Sequence, residues 1–186
     1  MPRLFVAIAM PTEVVQSLER LTIGLPAMRW TEPEQFHLTL RFIGEVDHGT
    51  FCEMGEQLAD ISMPPFDLQL EGIGQFPLRG PPNSLWAGVA KNEHLLRLKR
   101  RIDRTLEEVG LEPERRKFTP HVTIGRFRDA PPEKRFGSWL ARRALFRSKP
   151  FPVHDFGLYS SYLHRGGAEH QLEATYDFVS GVAERV

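Results

Sequence analysis

The sequence predicts an α+β fold built on antiparallel sheets. Three observations carry that reading. Alternating strand-like runs and amphipathic helical runs are interspersed, in the order strand, helix, strand, helix, strands, helix, strand, helix, strands. Several of the strand runs sit side by side as hairpin-like pairs. Two strand-like runs carry the same motif, His-x-Thr, at residues 37 and 121, 84 positions apart in a chain of 186, as two similar lobes would give.

The elements follow in order. Leu4 to Ala9 is apolar and β-leaning, a central strand. Thr12 is placed to cap a helix carrying Val14, Val15, Leu18 and Leu21 on one face, ended by Gly24 and Pro26. Trp30 begins a strand region broken by Glu32-Pro33-Glu34, and the first His-x-Thr strand runs on to about Val46. Asp47 to Gly49 reads as a turn, and Thr50 to Ile61 as a helix with Phe51, Met54, Leu58 and Ile61 inward. Phe66 to Glu71 alternates as one half-buried strand, and Gly72 to Pro82 reads as a bulged, loop-rich passage. Ser84 to Ala90 is a strand containing Trp86. Glu93 to Val109 is the clearest helix, with Leu95, Leu98, Ile102, Leu106 and Val109 recurring at helical spacing and Gly110 as its stop. The second His-x-Thr strand spans Phe118 to Phe127. Pro131-Pro132 opens a helix reaching about Leu145, and strands from Phe151 to Leu163 and from Gln171 to Val179 close the chain around a turn at His164 to Gly167. No linker interrupts this order, so residues 1–186 are expected to form one bilobal unit whose lobes share an interface.

Composition narrows the function. Lys plus Arg and Asp plus Glu both number 24, so formal net charge is zero. A protein that coats nucleic acid by bulk electrostatics needs an excess of cations, so that mode is excluded, whereas a local pocket for one phosphate is not. The lone cysteine, Cys52, allows neither an internal disulfide nor a cysteine-rich zinc site. No apolar run has the roughly 20 residues that span a bilayer, and the N-terminus lacks a signal core, so a cytoplasmic, monomeric protein is expected.

The chemistry rests on the two motifs. A strand sends alternate side chains to opposite faces. In Phe36-His37-Leu38-Thr39-Leu40-Arg41-Phe42 the alternation sets Phe36, Leu38, Leu40 and Phe42 on one face and His37, Thr39 and Arg41 on the other. In Pro120-His121-Val122-Thr123-Ile124-Gly125-Arg126, Val122 and Ile124 point one way, His121 and Thr123 the other. Each strand thus buries one side and offers an imidazole beside a hydroxyl. Imidazole titrates near 6.5, so one ring can accept a proton from a nucleophile while another donates one to a leaving oxygen. Threonine hydroxyls can donate to non-bridging phosphate oxygens. No carboxylate cluster accompanies the histidines, so neither a metal nor another cofactor is expected. Arg41, sharing parity with His37, is a further phosphate ligand on this reading. Trp30, Trp86, Phe42 and Tyr162 are expected in the core or at the rim, and His48, His94, His154, His164 and His170 at surface or turn positions.

These residues carry a resemblance. The stretches "QFHLTLRFIGEV" and "KFTPHVTIGRF", with Arg3 to Ile8 and Leu158 to Phe178, are similar to the phosphoesterases with two His-x-Thr motifs, and more narrowly to bacterial RNA 2′,3′-cyclic phosphodiesterases, also called 2′-5′ RNA ligases. The resemblance implies two similar lobes, each an antiparallel sheet backed by helices, related by a pseudo-twofold axis around a central cleft. It implies RNA ending in a 2′,3′-cyclic phosphate as substrate, opened to a 2′-phosphate, with 2′-5′ ligation as the reverse. It implies His37 as proton donor, His121 as proton acceptor, and a phosphate role for Arg126. Strict alternation opposes that role for Arg126, so Gly125 is expected to allow a bulge that turns Arg126 to the histidines' face. Two other readings stand beside it: a phosphodiesterase for a small nucleotide such as ADP-ribose cyclic phosphate, and a non-catalytic RNA-end binding protein.

Overall fold

The computed structural model describes residues 3–26, 28–164 and 167–178. Within them, ten strands and four helices alternate along the chain: β1 (Arg3–Ala9), α1 (Thr12–Glu19), β2 (Met28–Trp30), β3 (His37–Gly44), α2 (His48–Ala59), β4 (Phe66–Leu68), β5 (Leu70–Phe76), β6 (Ser84–Val89), α3 (Glu93–Glu108), β7 (His121–Phe127), α4 (Glu133–Arg143), β8 (Phe151–Val153), β9 (Asp155–His164) and β10 (Gly167–Asp177). The fold is α+β, with every strand pairing antiparallel. The main sheet has the order β10-β9-β1-β3-β7-β6-β5, with β2 also on β7, while β4 and β8 pair apart from it. Its two halves meet where the two His-x-Thr strands meet, at the single pair Leu38 opposite Val122.

One face of this sheet is the core. Val6, Ile8, Leu38, Leu40, Leu85, Ala87, Val122 and Ile124 point into it and meet the apolar faces of the helices. Helix α3 contributes most: Leu95, Leu98, Ile102 and Leu106 are all at most 1% exposed. Each such side chain stabilises the fold by about 1.5–3 kcal/mol relative to leaving it in water. Asn92 caps α3, accepting from Leu95 N at 2.9 Å. Gly110, at φ +87°, ends it as expected.

Several boundaries differ from the sequence reading, each for a local reason. Thr12 is the first residue of α1 and not its cap; Pro11 precedes it, and no side chain caps the helix. That helix stops at Glu19, with Leu21 buried in the following turn. Asp47 takes the capping role for α2, accepting from Thr50 N at 3.0 Å and from its hydroxyl at 2.7 Å, so His48 and Gly49 join the helix. The run Phe66 to Glu71 is divided between two sheets, and β5 continues through Gly72 and Gly74 to Phe76. A Cβ at Gly74 would lie 2.1 Å from the Trp86 ring, so the glycine that looked like a loop signal is what lets that indole lie across the strand. The run from Phe151 is likewise split at His154 between β8 and β9. Of the closing turn, Arg165 and Gly166 lie outside the described residues, as does Val179.

Candidate active site

The histidine face is the other side of the sheet. The antiparallel pairing of Leu38 with Val122 makes the two motifs local two-fold mates. It sets His37 towards Thr123 and Thr39 towards His121, so the two imidazoles stand diagonally across the pair, a separation of roughly 7–8 Å between such positions.

Both rings are tied down in the same way. His37 Nδ1 lies 2.7 Å from Gln35 O, and His121 Nδ1 lies 2.6 Å from Thr119 O. A carbonyl can only accept, so each Nδ1 carries the proton and donates it. The neutral rings therefore present Nε2 as an unprotonated base. Among the described residues neither Nε2 is in a hydrogen bond, and neither are the hydroxyls of Thr39 and Thr123.

The surroundings of the rings differ. Phe5 sits beneath His37 with ring centres 5.0 Å apart, and is itself ringed by Tyr159 at 5.3 Å, Phe42 at 6.1 Å and His170 at 4.9 Å. His170 also meets His37 edge-on at 5.1 Å. Burial in this aromatic box, with the neighbouring imidazoles of His170 and His121 adding like charge, holds His37 at about 4, below its ordinary 6.5. His121 packs against Phe76 at 5.0 Å and Trp86 at 5.8 Å. Burial lowers its pKa too, and the Arg126 guanidinium lowers it further. The sequence reading sets His170 at a surface or turn position. It lies instead on β10, opposite Ser161, and only the pairing order of β10, β9, β1 and β3 brings it to His37. No sequence signal points to it.

Two register breaks decide which neighbours join the site. Along β3, Val6 faces Arg41 but Ala7 faces Thr39, so Leu40 is an extra residue, a bulge. Alternation reverses past it. Phe42 comes opposite Phe5 on the histidine face and is 57% exposed. Arg41 turns to the core side, where it is 5% exposed. There Nη1 reaches Asp103 at 3.4 Å and Nη2 bonds Glu112 O. Arg41 is thus a structural tie between β3, α3 and the loop after it, not a phosphate ligand beside His37. Along β7 the break falls at the matching position, Ile124, since Leu85 faces Gly125 but Trp86 faces Thr123. Gly125 becomes buried and Arg126 turns out on the same face as His121, in a row with Ser84. The break lies one residue before the glycine expected to permit it. Gly125 answers to a different demand: a Cβ there would lie 2.4 Å from Met28 Cε and 3.0 Å from Arg29 O, on the neighbouring β2.

The motifs thus share a framework, His-x-Thr-bulge, and diverge just beyond it: an exposed phenylalanine on one side, an exposed arginine on the other. Two donor hydroxyls, two free Nε2 atoms and the Arg126 guanidinium face the same side of the sheet. Among the described residues, no set of three or more His, Cys, Asp and Glu side chains has metal-ligand geometry. Among the same residues, no helix is long and apolar enough to cross a membrane.

A family model described as LigT like Phosphoesterase matches residues 8–86 and 88–169, with one His-x-Thr in each segment. The chain belongs to this family. Among its relatives, an RNA 2′,3′-cyclic phosphodiesterase of Aeropyrum pernix is 42% identical over 108 residues, 58% of this chain and 61% of that one. The RNA 2′,3′-cyclic phosphodiesterase of Thermotoga maritima is 30% identical over 178 residues, covering 92% of this chain and 89% of its own. The crystal structure of a Thermus thermophilus protein superposes with a TM-score of 0.79 at 26% identity, over 95% of this chain and 97% of the other. The fold of E. coli LigT, in a crystal structure with 3′-AMP, matches with a TM-score of 0.77 at 24% identity, over 95% and 98% of the two chains. As a LigT-like phosphoesterase, the chain places both family motifs at the meeting point of its two half-sheets.

Proposed function

We propose that this LigT-like phosphoesterase opens the 2′,3′-cyclic phosphate at the end of RNA, leaving a 2′-phosphate, by acid–base catalysis between its two motif histidines. The observation that carries the reading is the matched pair of imidazoles, each with Nδ1 held by a carbonyl and Nε2 free on one face. The names and extents of the relatives support the substrate class.

In the proposed reaction His121 Nε2 takes a proton from water, which attacks phosphorus. The P–O3′ bond breaks, and the departing 3′ oxygen takes the proton from His37 Nε2. The assignment of donor and acceptor follows the resemblance. Burial lowers both imidazoles, and an anionic phosphate between them offsets that effect, so one ring can gain a proton as substrate binds while Arg126 disfavours the charge at His121. Thr39, Thr123 and Arg126 hold the non-bridging oxygens and the charge that builds there. Each proton transfer is worth about 10²–10⁴ in rate, enough for a strained cyclic diester with an intramolecular leaving oxygen. With a 5′-hydroxyl in place of water as nucleophile, the same groups form a 2′-5′ bond.

The test is hydrolysis of an RNA oligomer ending in a 2′,3′-cyclic phosphate, in EDTA, with the product end mapped. A 2′-phosphate end is the expected outcome. A 3′-phosphate would overturn the leaving group, and binding of the end without turnover would overturn the enzyme.

A further inference from the structure

Beyond Thr123 and the bulge, a cationic row crosses the histidine face. Arg29 of β2 lies directly opposite Arg126 of β7, and Ser84 of β6 lies opposite Arg126 on its other side. Residues directly opposed in an antiparallel pair share a face, so two guanidinium groups and a hydroxyl stand side by side across three strands. Both arginines are exposed, and among the described residues neither is in an ion pair. The Ser84 hydroxyl is likewise in no hydrogen bond there. Like charges set directly opposite destabilise a sheet. Two other arginines in the sheet region are neutralised: Arg41 meets Asp103 and Arg147 meets Glu71. Nor is the position of Arg29 loose. Its neighbours Met28 and Trp30 pack on the core, Trp30 lies 6.1 Å from Trp139, and Trp139 Nε1 donates to Ile23 O at 2.7 Å. Gly125 has no side chain so that this strand can lie close.

With Arg126 assigned to the reacting phosphate, Arg29 one strand over is a second, unneutralised cation, complementary to another anion on the substrate. We infer that Arg29 binds the phosphate on the 5′ oxygen of the nucleotide whose cyclic end reacts. The inference rests on the function proposed above and deepens it, making the preferred substrate one with a 5′-phosphoryl group on its terminal nucleotide. An oligomer carries that group as its last phosphodiester, and a 5′-phosphorylated mononucleotide carries it alone. By the pseudo-twofold, Phe42 and Phe5 occupy the matching row beside His37, so the matching row on the opposite half is aromatic.

The test compares three probes: a 2′,3′-cyclic mononucleotide, the same with a 5′-phosphate, and a dinucleotide ending in the cyclic phosphate. For the wild-type protein kcat/KM should rise about tenfold from the first probe to each of the others, the scale of one charge-assisted contact. In Arg29→Ala that ratio should fall to near one, with Arg29→Lys intermediate. The slope of log(kcat/KM) against log salt for the dinucleotide should become shallower by roughly 0.7. A gain seen only with the dinucleotide, or a ratio untouched by Arg29→Ala, overturns the inference while leaving the activity in place. If the wild-type protein turns over none of the three, the functional proposal fails. Binding of the labelled 5′-phosphorylated probe then decides separately: Arg29-dependent affinity upholds the anion site, and Arg29-independent affinity overturns it.

Discussion

Replacing His37 should change how the protein responds to acid, and by a calculable amount. The unfolded chain takes up this proton as pH falls through 6.5, whereas the folded protein refuses it until about 4. Protons therefore favour unfolding throughout that window, and stability is lost as pH falls. A pKa unit is worth about 1.36 kcal/mol, which sets a ceiling of about 3 kcal/mol for an imidazole held near 4. Near pH 4.5, just above the folded value, the titration realises most of it. His37 is part-exposed, and solvent screening brings the expected effect to about 2 kcal/mol. The assay is urea unfolding of wild type and His37→Asn near pH 7.5 and near pH 4.5. The variant should lose about 2 kcal/mol less than wild type between the two conditions. Acid-labile groups common to both proteins cancel in that comparison. Parallel losses, or a His37 ring titrating near 6.5 by NMR in the ligand-free protein, would refute the reasoning.

Other outcomes follow from the same geometry. In kcat/KM the two histidines should give a bell-shaped pH profile with both limbs below about 6.5, because each free-protein pKa is lowered; an optimum above neutrality would contradict this. His37→Ala and His121→Ala should each cut kcat by about 10²–10⁴ with little loss of product binding, read by single-turnover kinetics and calorimetry. His170→Ala should raise the pKa of His37 by opening the aromatic box and removing a neighbouring imidazole, while His170→Phe, which keeps the packing, should raise it less; NMR titration distinguishes them. Arg41→Met should cost about 1–3 kcal/mol in denaturant unfolding, since it strands Glu112 O and loosens β3 from α3, yet leave phosphate affinity intact.

How much of this could be read in the chain itself depends on the range of the interaction involved. Periodicity located α1, α2, α3 and the two motif strands, because amphipathic spacing reports burial along one element, and the Pro131-Pro132 pair located α4. His37 with Thr39, and His121 with Thr123, were placed on shared faces by the two-residue period alone, and the structure sets all four on one side of the sheet. Local alternation misled at Arg41 and Phe42, because a bulge at Leu40 reverses it. A bulge is defined by what the partner strand does, and β1 is far away in the chain. The sequence points to Arg126 turning onto the His121 face, but the bulge that turns it sits at Ile124, and the missing side chain of Gly125 makes room for β2. His170 and the aromatic box are invisible in the sequence for one reason: nothing in their own neighbourhood distinguishes them, and three strand pairings are needed to carry His170 to His37. The depressed pKa of His37 and the Arg29–Arg126 row have the same origin. The sequence by itself determined the candidate groups and the strands that hold them, since residue type and alternation are local. Tertiary structure alone decided which groups face one another, which arginine is buried and which is free, and how strongly each imidazole holds its proton, since those depend on register and packing between segments distant in the chain.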